Sequence, residues 1–321
     1  NQVAQLAHDL RTGTSEPDRT RLLQLADDRD PFLARSALLA LSREASTWTP
    51  DDVGGWTPVD RLQAVLALKL ADASPETWVR MFLADENADV QFETLRWIAD
   101  ARLQEFHPDV EALLNRSNLD YRRFEAAIAA WNTLDGTPEA GIRNPQLLLA
   151  RVQDGASPAK LRAYALRMLP TQPRAASADG VVPVQKFPPG LTLQMLQKLL
   201  SVDDATLSRE VVRTLAGNAP ASQMVLAAIA ADPAQSVVLR ADAVAGLAAV
   251  AEQHADLLLQ LAGDQQRAVR EEALRCLRSL HPGHTSPQQV GRLEALAEQY
   301  PDSADLIQAA LRPKSLVTGR P

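Results

Sequence analysis

Cysteine is nearly absent from this chain: Cys276 is the one cysteine among 321 residues. A lone thiol excludes an internal disulfide framework and leaves the redox compartment open. Aromatic residues are scarce, at 4%, and β-branched runs are few. Basic residues do not outnumber acidic ones, and the formal charge is −7 with an isoelectric point near 5.3. Proteins that hold nucleic acid neutralise phosphates with Lys and Arg, so this balance counts against nucleic acid as a partner. It counts equally against docking on anionic lipid. No run approaches the roughly 18 uninterrupted apolar residues of a membrane span, so no membrane insertion is expected. A phosphate-cradling loop is missing too: Gly54-Gly55 lacks the strand, the helix and the Lys that would make one. So is a Gly-x-Ser-x-Gly nucleophile elbow.

What is present in quantity is Ala and Leu, both strong helix formers, within an apolar content of 46%. They recur with a period. The clearest copy is Arg267–Leu277, and Val238–Leu247 and Thr206–Leu215 align with it. Val269, Leu239 and Leu207 share one slot, spaced 30 and 32 residues apart. Earlier copies are Val90–Trp97, Arg122–Ala129 and Leu161–Met168, at slot distances of 32 and 39. Degenerate copies fall at Leu33–Leu41 and Leu62–Leu68. In the best copy Val269, Ala273, Leu274 and Leu277 lie on one helical face, which a strand's alternation would not produce.

A second amphipathic segment precedes each copy: Pro108–Asn115, Pro145–Val152, Leu193–Leu200, Gln223–Ala230 and Asp256–Ala262. Polar turns such as Asp85–Asp89, Asp203-Asp204, Asp232-Pro233 and Gly263-Asp264 separate the two segments and offer caps for the second helix. Pro31, Pro158 and Pro233 are read as first-turn prolines. A helix pair of about 30–40 residues, unable to bury its stripe alone, predicts an all-α, HEAT-like α-solenoid, a superhelix of stacked antiparallel helix pairs. The array is expected over residues 1–312. Two interruptions are expected: a loop at Ser46–Pro58, and an irregular insert at 170–190 whose prolines forbid a regular helix. Ser303–Leu311 reads as the last helix, and 313–321 as a linker toward a further domain.

The block Asp89–Asp100, followed by Tyr121–Trp131 and Leu134-Asp-Gly136, resembles the HEAT-like middle region of large exported proteins of Planctomycetes and Verrucomicrobia. The resemblance covers roughly Asp85 to Leu311. It implies a β-propeller of the membrane-bound-dehydrogenase type before the array, a c-type cytochrome domain after it, and a periplasmic or extracytoplasmic setting. Without the resemblance, a cytoplasmic setting fits the sequence equally. Haem c is expected only in the neighbouring domain, because Cys276 is followed by Leu277, Arg278 and Ser279 and no Cys-x-x-Cys-His motif occurs. The chain itself is expected to carry no cofactor, and to read as a segment of a larger protein.

Several residues offer chemistry. His281 and His284 are three apart, as in some metal sites, but Pro282-Gly283 makes them a turn with no cysteine nearby, and no metal is expected. Cys276, flanked by Arg275 and Arg278, reads as a buried structural thiol rather than a reactive one. Carboxylates recur at Glu93, Glu125, Glu210, Asp242 and Glu272, and arginines at Arg123, Arg162, Arg209, Arg240 and Arg270. Their spacing has two readings: a ladder pairing charges between repeats, or a surface for an acidic or mixed peptide. Trp97 and Trp131 on second helices read as core. Trp48 and Trp56 are candidates for a contact surface, with loop anchoring as the alternative.

The expectation is a non-catalytic scaffold or protein-interaction segment, with proteins or flanking domains of the same parent chain as partners. The alternative is an enzyme on the same kind of fold, resembling the alkylpurine DNA glycosylases or a chromophore lyase.

Overall fold

Short helices with one apolar face cannot hide that face alone, and here they hide it by pairing. The computed structural model describes residues 2–15, 17–169, 187–278 and 287–311. Residues 170–186 of the expected insert, the linker at 313–321, and His281 and His284 lie outside the described residues. Among the described residues there are nineteen α-helices, a few 3₁₀ turns and no strand, and successive helices pack on their neighbours as an α-solenoid. No helix among them is long and apolar enough to cross a membrane.

The chain divides into two compact units, Asn1–Asn144 and Pro145–Pro321. In the first, α1 (Gln2–Thr12) precedes four pairs: α2 (Arg19–Ala26) with α3 (Pro31–Glu44), α4 (Pro50–Gly54) with α5 (Pro58–Leu70), α6 (Pro75–Leu83) with α7 (Ala88–Ala101), and α8 (His107–Leu113) with α9 (Tyr121–Leu134). The second holds five: α10 (Pro145–Gln153) with α11 (Ala159–Met168), α12 (Leu193–Leu200) with α13 (Ala205–Ala216), α14 (Ala219–Ala231) with α15 (Val237–Gly246), α16 (Ala255–Leu261) with α17 (Arg267–Arg278), and α18 (Pro287–Gln299) with α19 (Ala304–Leu311). Within each unit the second helix of a pair also packs on the second helix of the next. That contact makes the buried stripe continuous.

The shared apolar slot supplies that stripe. Val90, Leu161, Leu207, Leu239 and Val269 are all buried, while Arg122, in the same slot of α9, is exposed. Neighbouring Leu119 and Phe124 fill the core there instead. Second helices begin where turn side chains accept the first free N–H groups. Asp120 Oδ1 accepts from Arg123 N at 2.8 Å, Asp204 Oδ1 from Leu207 N at 2.7 Å, and Asn87 Oδ1 from Val90 N at 3.2 Å. Each such cap contributes about 1 kcal/mol.

Two local expectations are corrected. Ser46–Pro58 is not a loop. Thr49 caps the short helix α4, Thr57 caps α5, and the segment is the degenerate first half of a repeat. Pro233 does not open a helix either: it sits in the turn, and Ser236 caps α15 three residues later.

Packing is close where α15 meets its neighbours. A Cβ built on Gly246 would stand 2.8 Å from Ala216 Cβ and 3.3 Å from Leu226 Cδ1. At an open helical site, Gly→Ala raises stability by about 1 kcal/mol through propensity. At Gly246 the overlap should reverse the sign, and Gly246→Ala is expected to lower stability by about 1–2 kcal/mol in urea denaturation. A stabilised variant would show that this contact is looser than described.

Candidate interaction surface

The recurring arginines do not form one surface. Arg123, Arg162, Arg240 and Arg270 are buried, with only 3% of Arg270 exposed. Each sits in the first turn or so of a second helix and reaches back to the turn before it. Arg240 Nε donates to Ala230 O at 3.1 Å, Arg162 Nε to Val152 O at 3.0 Å, Arg123 Nη2 to Asn118 O at 2.9 Å and Arg270 Nη1 to Asp264 O at 2.9 Å. These carbonyls belong to the ends of first helices and to the turns, which have no intrahelical partner. The peptide-binding reading therefore fails for Arg123, Arg240 and Arg270, whose guanidinium groups are taken up by several protein acceptors, whereas Arg162 is buried with Val152 O as its one hydrogen-bond partner among the described residues.

The same groups also reach a neighbouring repeat. Arg240 Nη2 pairs with Asp264 at 2.6 Å, Arg270 Nη2 with Asp302 at 2.9 Å, and Arg123 Nη1 donates to Gln91 Oε1 at 2.7 Å. Arg61, which the sequence reading did not single out, does likewise. It donates to Trp56 O at 2.6 Å and, through two nitrogens, to Asp85 at 2.6 and 3.0 Å. Arg61–Asp85 and Arg240–Asp264 share a separation of 24 residues, the signal in the sequence that could have found Arg61. The Asp85 hydrogen bond raises the Arg61 pKa. Burial pushes the Asp85 carboxyl up, but Arg61 and the Asn87 N–H outweigh it and hold it below the ordinary carboxylate range.

Other charged side chains of the second helices lie nearer the surface, and of the recurring arginines and carboxylates only Arg209 and Asp242 pair with each other between repeats. Arg209 pairs with Asp242 at 2.9 Å and Arg122 with Asp89 at 2.6 Å, both 33 residues apart. Arg122 also covers the Phe92 ring at 3.8 Å. Glu93 is held by Arg96 within its own helix, and Glu272 by Arg275. Glu125 is half-buried on α9. Arg267 draws the Glu271 carboxyl below its ordinary value. Exposed pairs of this kind are worth about 0.2–1 kcal/mol each.

In the second unit this face opens into a groove of about 890 Å³ across α11, α13 and α15. Ala205, Ala216, Ala245, Gly246, Ala248 and Ala249 form much of its lining. Arg167, Arg209, Arg213, Glu210 and Asp242 supply its charge, with Glu210 lying 3.8 Å from Arg167 and 3.6 Å from Arg213. Arg167 and Arg213 were not anticipated, since neither lies at the repeating arginine position. The local balance of three arginines against two acids contrasts with residues 1–144, where 24 acidic residues face 15 basic ones.

The tryptophans divide by position. Trp97 and Trp78 are core, while Trp131 is half-buried against His107 at 5.2 Å. Trp48 is buried and meets the half-buried Trp56 edge to face at 5.1 Å, with the Arg19 guanidinium 5.8 and 5.4 Å from the two rings. This cluster anchors α4 rather than offering a contact surface, because the larger part of it is turned inward. Cys276 is buried, donates to Val244 O at 3.3 Å, and has its pKa pushed up to about 12 by desolvation. A thiol so placed is not a nucleophile at neutral pH. Among the described residues no three His, Cys, Asp or Glu side chains converge as a metal site would require.

Compared with known protein families and with curated proteins, the chain matches neither a family model nor an individual protein.

The Arg61–Asp85 joint sets a pH test. Removing one partner of a buried pair costs about 3 kcal/mol, so Asp85→Asn should lose roughly that much at pH 7. Asp85 is depressed in the fold, so its contribution is complete above the unfolded-state pKa and fades as pH falls through the folded one. Urea midpoints of wild type and variant should therefore converge in acid. A gap that stays constant down to pH 2 would contradict this assignment.

Proposed function

We propose that this chain is a non-catalytic scaffold and protein-interaction segment, by its sequence resemblance the spacer between a dehydrogenase-type propeller and a c-type cytochrome domain of an exported protein. The observation that carries the reading is the groove over α11, α13 and α15. It is broad, its lining is rich in alanine, and its charges are already paired with one another. Small-molecule sites are enclosed and mostly apolar, with a few converging polar groups. A wide trough with exchangeable ion pairs suits an extended polypeptide, whose carboxylates can replace Glu210 and Asp242 on the arginines. The partner that fits is an acidic or mixed peptide segment. The buried arginine joints support the scaffold half of the reading, because at three junctions they tie one helix pair to the next.

The three groove arginines are also the feature that favours the second reading, a glycosylase-like enzyme that presents a cationic groove to DNA. Glu210 and Asp242 in the same lining offset them.

Fluorescence anisotropy separates the two. A labelled Asp/Glu-rich peptide should bind the chain at low ionic strength, with about tenfold weaker binding for Arg209→Ser/Arg213→Ser, since two exposed charge pairs at about 0.2–1 kcal/mol each sum to about that loss. A short DNA duplex should bind more weakly than the peptide. Duplex binding tighter than the peptide, lost in the same variant, would overturn the scaffold reading in favour of the enzyme.

A further inference from the structure

The repeats serve as controls for one another, and one arginine breaks their rule. Arg61, Arg240 and Arg270 each find a carboxylate in the following repeat: Asp85, Asp264 and Asp302. Arg123 finds Asp120 in its own turn and Gln91 in the preceding repeat. Arg162 is equally buried, at 9% exposed, and its Nε donates to Val152 O. No acidic side chain among the described residues pairs with it.

The register explains the gap. Asp85 stands six residues before Gln91, and Asp264 six before Arg270. Six residues before Ser208, which occupies the same slot in α13, stands Val202. Valine thus replaces the aspartate that would face Arg162. Both line a half-open pocket of about 510 Å³, whose walls are Val152, Met195, Leu199 and Val202 and whose exposed rim carries Gln153, Gly155, Lys198 and Ser201. A buried guanidinium carries five N–H donors and cannot shed its charge. With Arg162 Nε bound to Val152 O, its remaining N–H groups have no protein acceptor among the described residues, and the space that an aspartate would close is open, with aliphatic side chains on one side and a polar rim on the other.

We propose that this cavity binds a carboxylate carried on an aliphatic tail, supplied by a ligand in place of the missing aspartate. The carboxylate sits between Arg162, which offers the fork, and Lys198 at the exposed rim. The tail lies against Val152, Met195, Leu199 and Val202. Neither the groove nor the spacer reading is needed for this site, which has its own lining in the second unit.

Titration calorimetry with sodium octanoate, and with acetate as the tail-less control, tests it. Octanoate should bind the wild-type chain, and acetate about a hundredfold more weakly, or more weakly still, since burying even half of the six extra methylenes contributes about 2.4 kcal/mol. Lys198→Gln should weaken octanoate several-fold, and Arg162→Gln should abolish binding with helical circular dichroism retained. Because Arg162→Gln also removes a hydrogen bond to Val152 O and can fail to fold, Val202→Asp is the decisive variant. By installing the carboxylate that the sister repeats possess, it should raise the thermal midpoint and eliminate octanoate binding together. No heat with octanoate at millimolar concentration would overturn the proposal. So would acetate binding as tightly as octanoate, or Val202→Asp binding octanoate like the wild type.

Discussion

A guanidinium buried at the start of a helix needs acceptors, because it cannot deprotonate and is largely shielded from water. In this chain the acceptors come from two sources. Turn and helix-end carbonyls of the same pair take one or two N–H groups, as Val152 O and Ala230 O do. An acidic or amide side chain of an adjacent repeat takes the rest in Arg61, Arg123, Arg240 and Arg270. One side chain therefore closes its own hairpin and fastens it to the neighbour. Hydrophobic burial drives the stacking without direction. The arginines supply the direction, since their hydrogen bonds are satisfied in a single register.

Charge has two lives along these helices. One set of residues points inward and becomes structural, while the next residues around the helix stay in water and trade partners easily. Arg240 and Asp242 are two positions apart: the first is locked to Ala230 O and Asp264, the second meets Arg209 at the edge of the open groove. A partner can compete for the outer pairs at little cost, because each is worth less than about 1 kcal/mol. It cannot compete for the inner ones. The geometry of a docking face and the stability of the stack are thus carried by different residues of the same short motif.

The helix pairs were legible because they rest on a local signal, an apolar slot that recurs at Leu207, Leu239 and Val269 within a 3.6-residue period. Caps were legible in part, since Asn87 and Asp204 lie in turns read as capping, whereas α15 is capped by Ser236 and not by the Asp232-Pro233 turn. Legibility faded where the signal was a direction. Arg123 and Arg209 look alike in the aligned copies, yet one register step around the helix separates a buried joint from an exposed pair. Ser46–Pro58 was misread because Gly54-Gly55 and two tryptophans obscure a helix only five residues long, held by the Thr49 cap and the Arg19–Trp48–Trp56 cluster. The groove was invisible in sequence, because it joins Arg167, Glu210 and Asp242 from three helices and depends on the alanines between them.

The central claim is that a buried arginine couples one repeat energetically to the next. A double-mutant cycle on Arg240 and Asp264, using Arg240→Met, Asp264→Asn and the double variant in urea denaturation, measures that coupling free of the packing changes each substitution brings. The account predicts an interaction of about 1.5 kcal/mol or more, as expected for a desolvated, hydrogen-bonded pair. Additive effects, with a coupling indistinguishable from zero, would contradict it and leave the stack held by apolar burial alone.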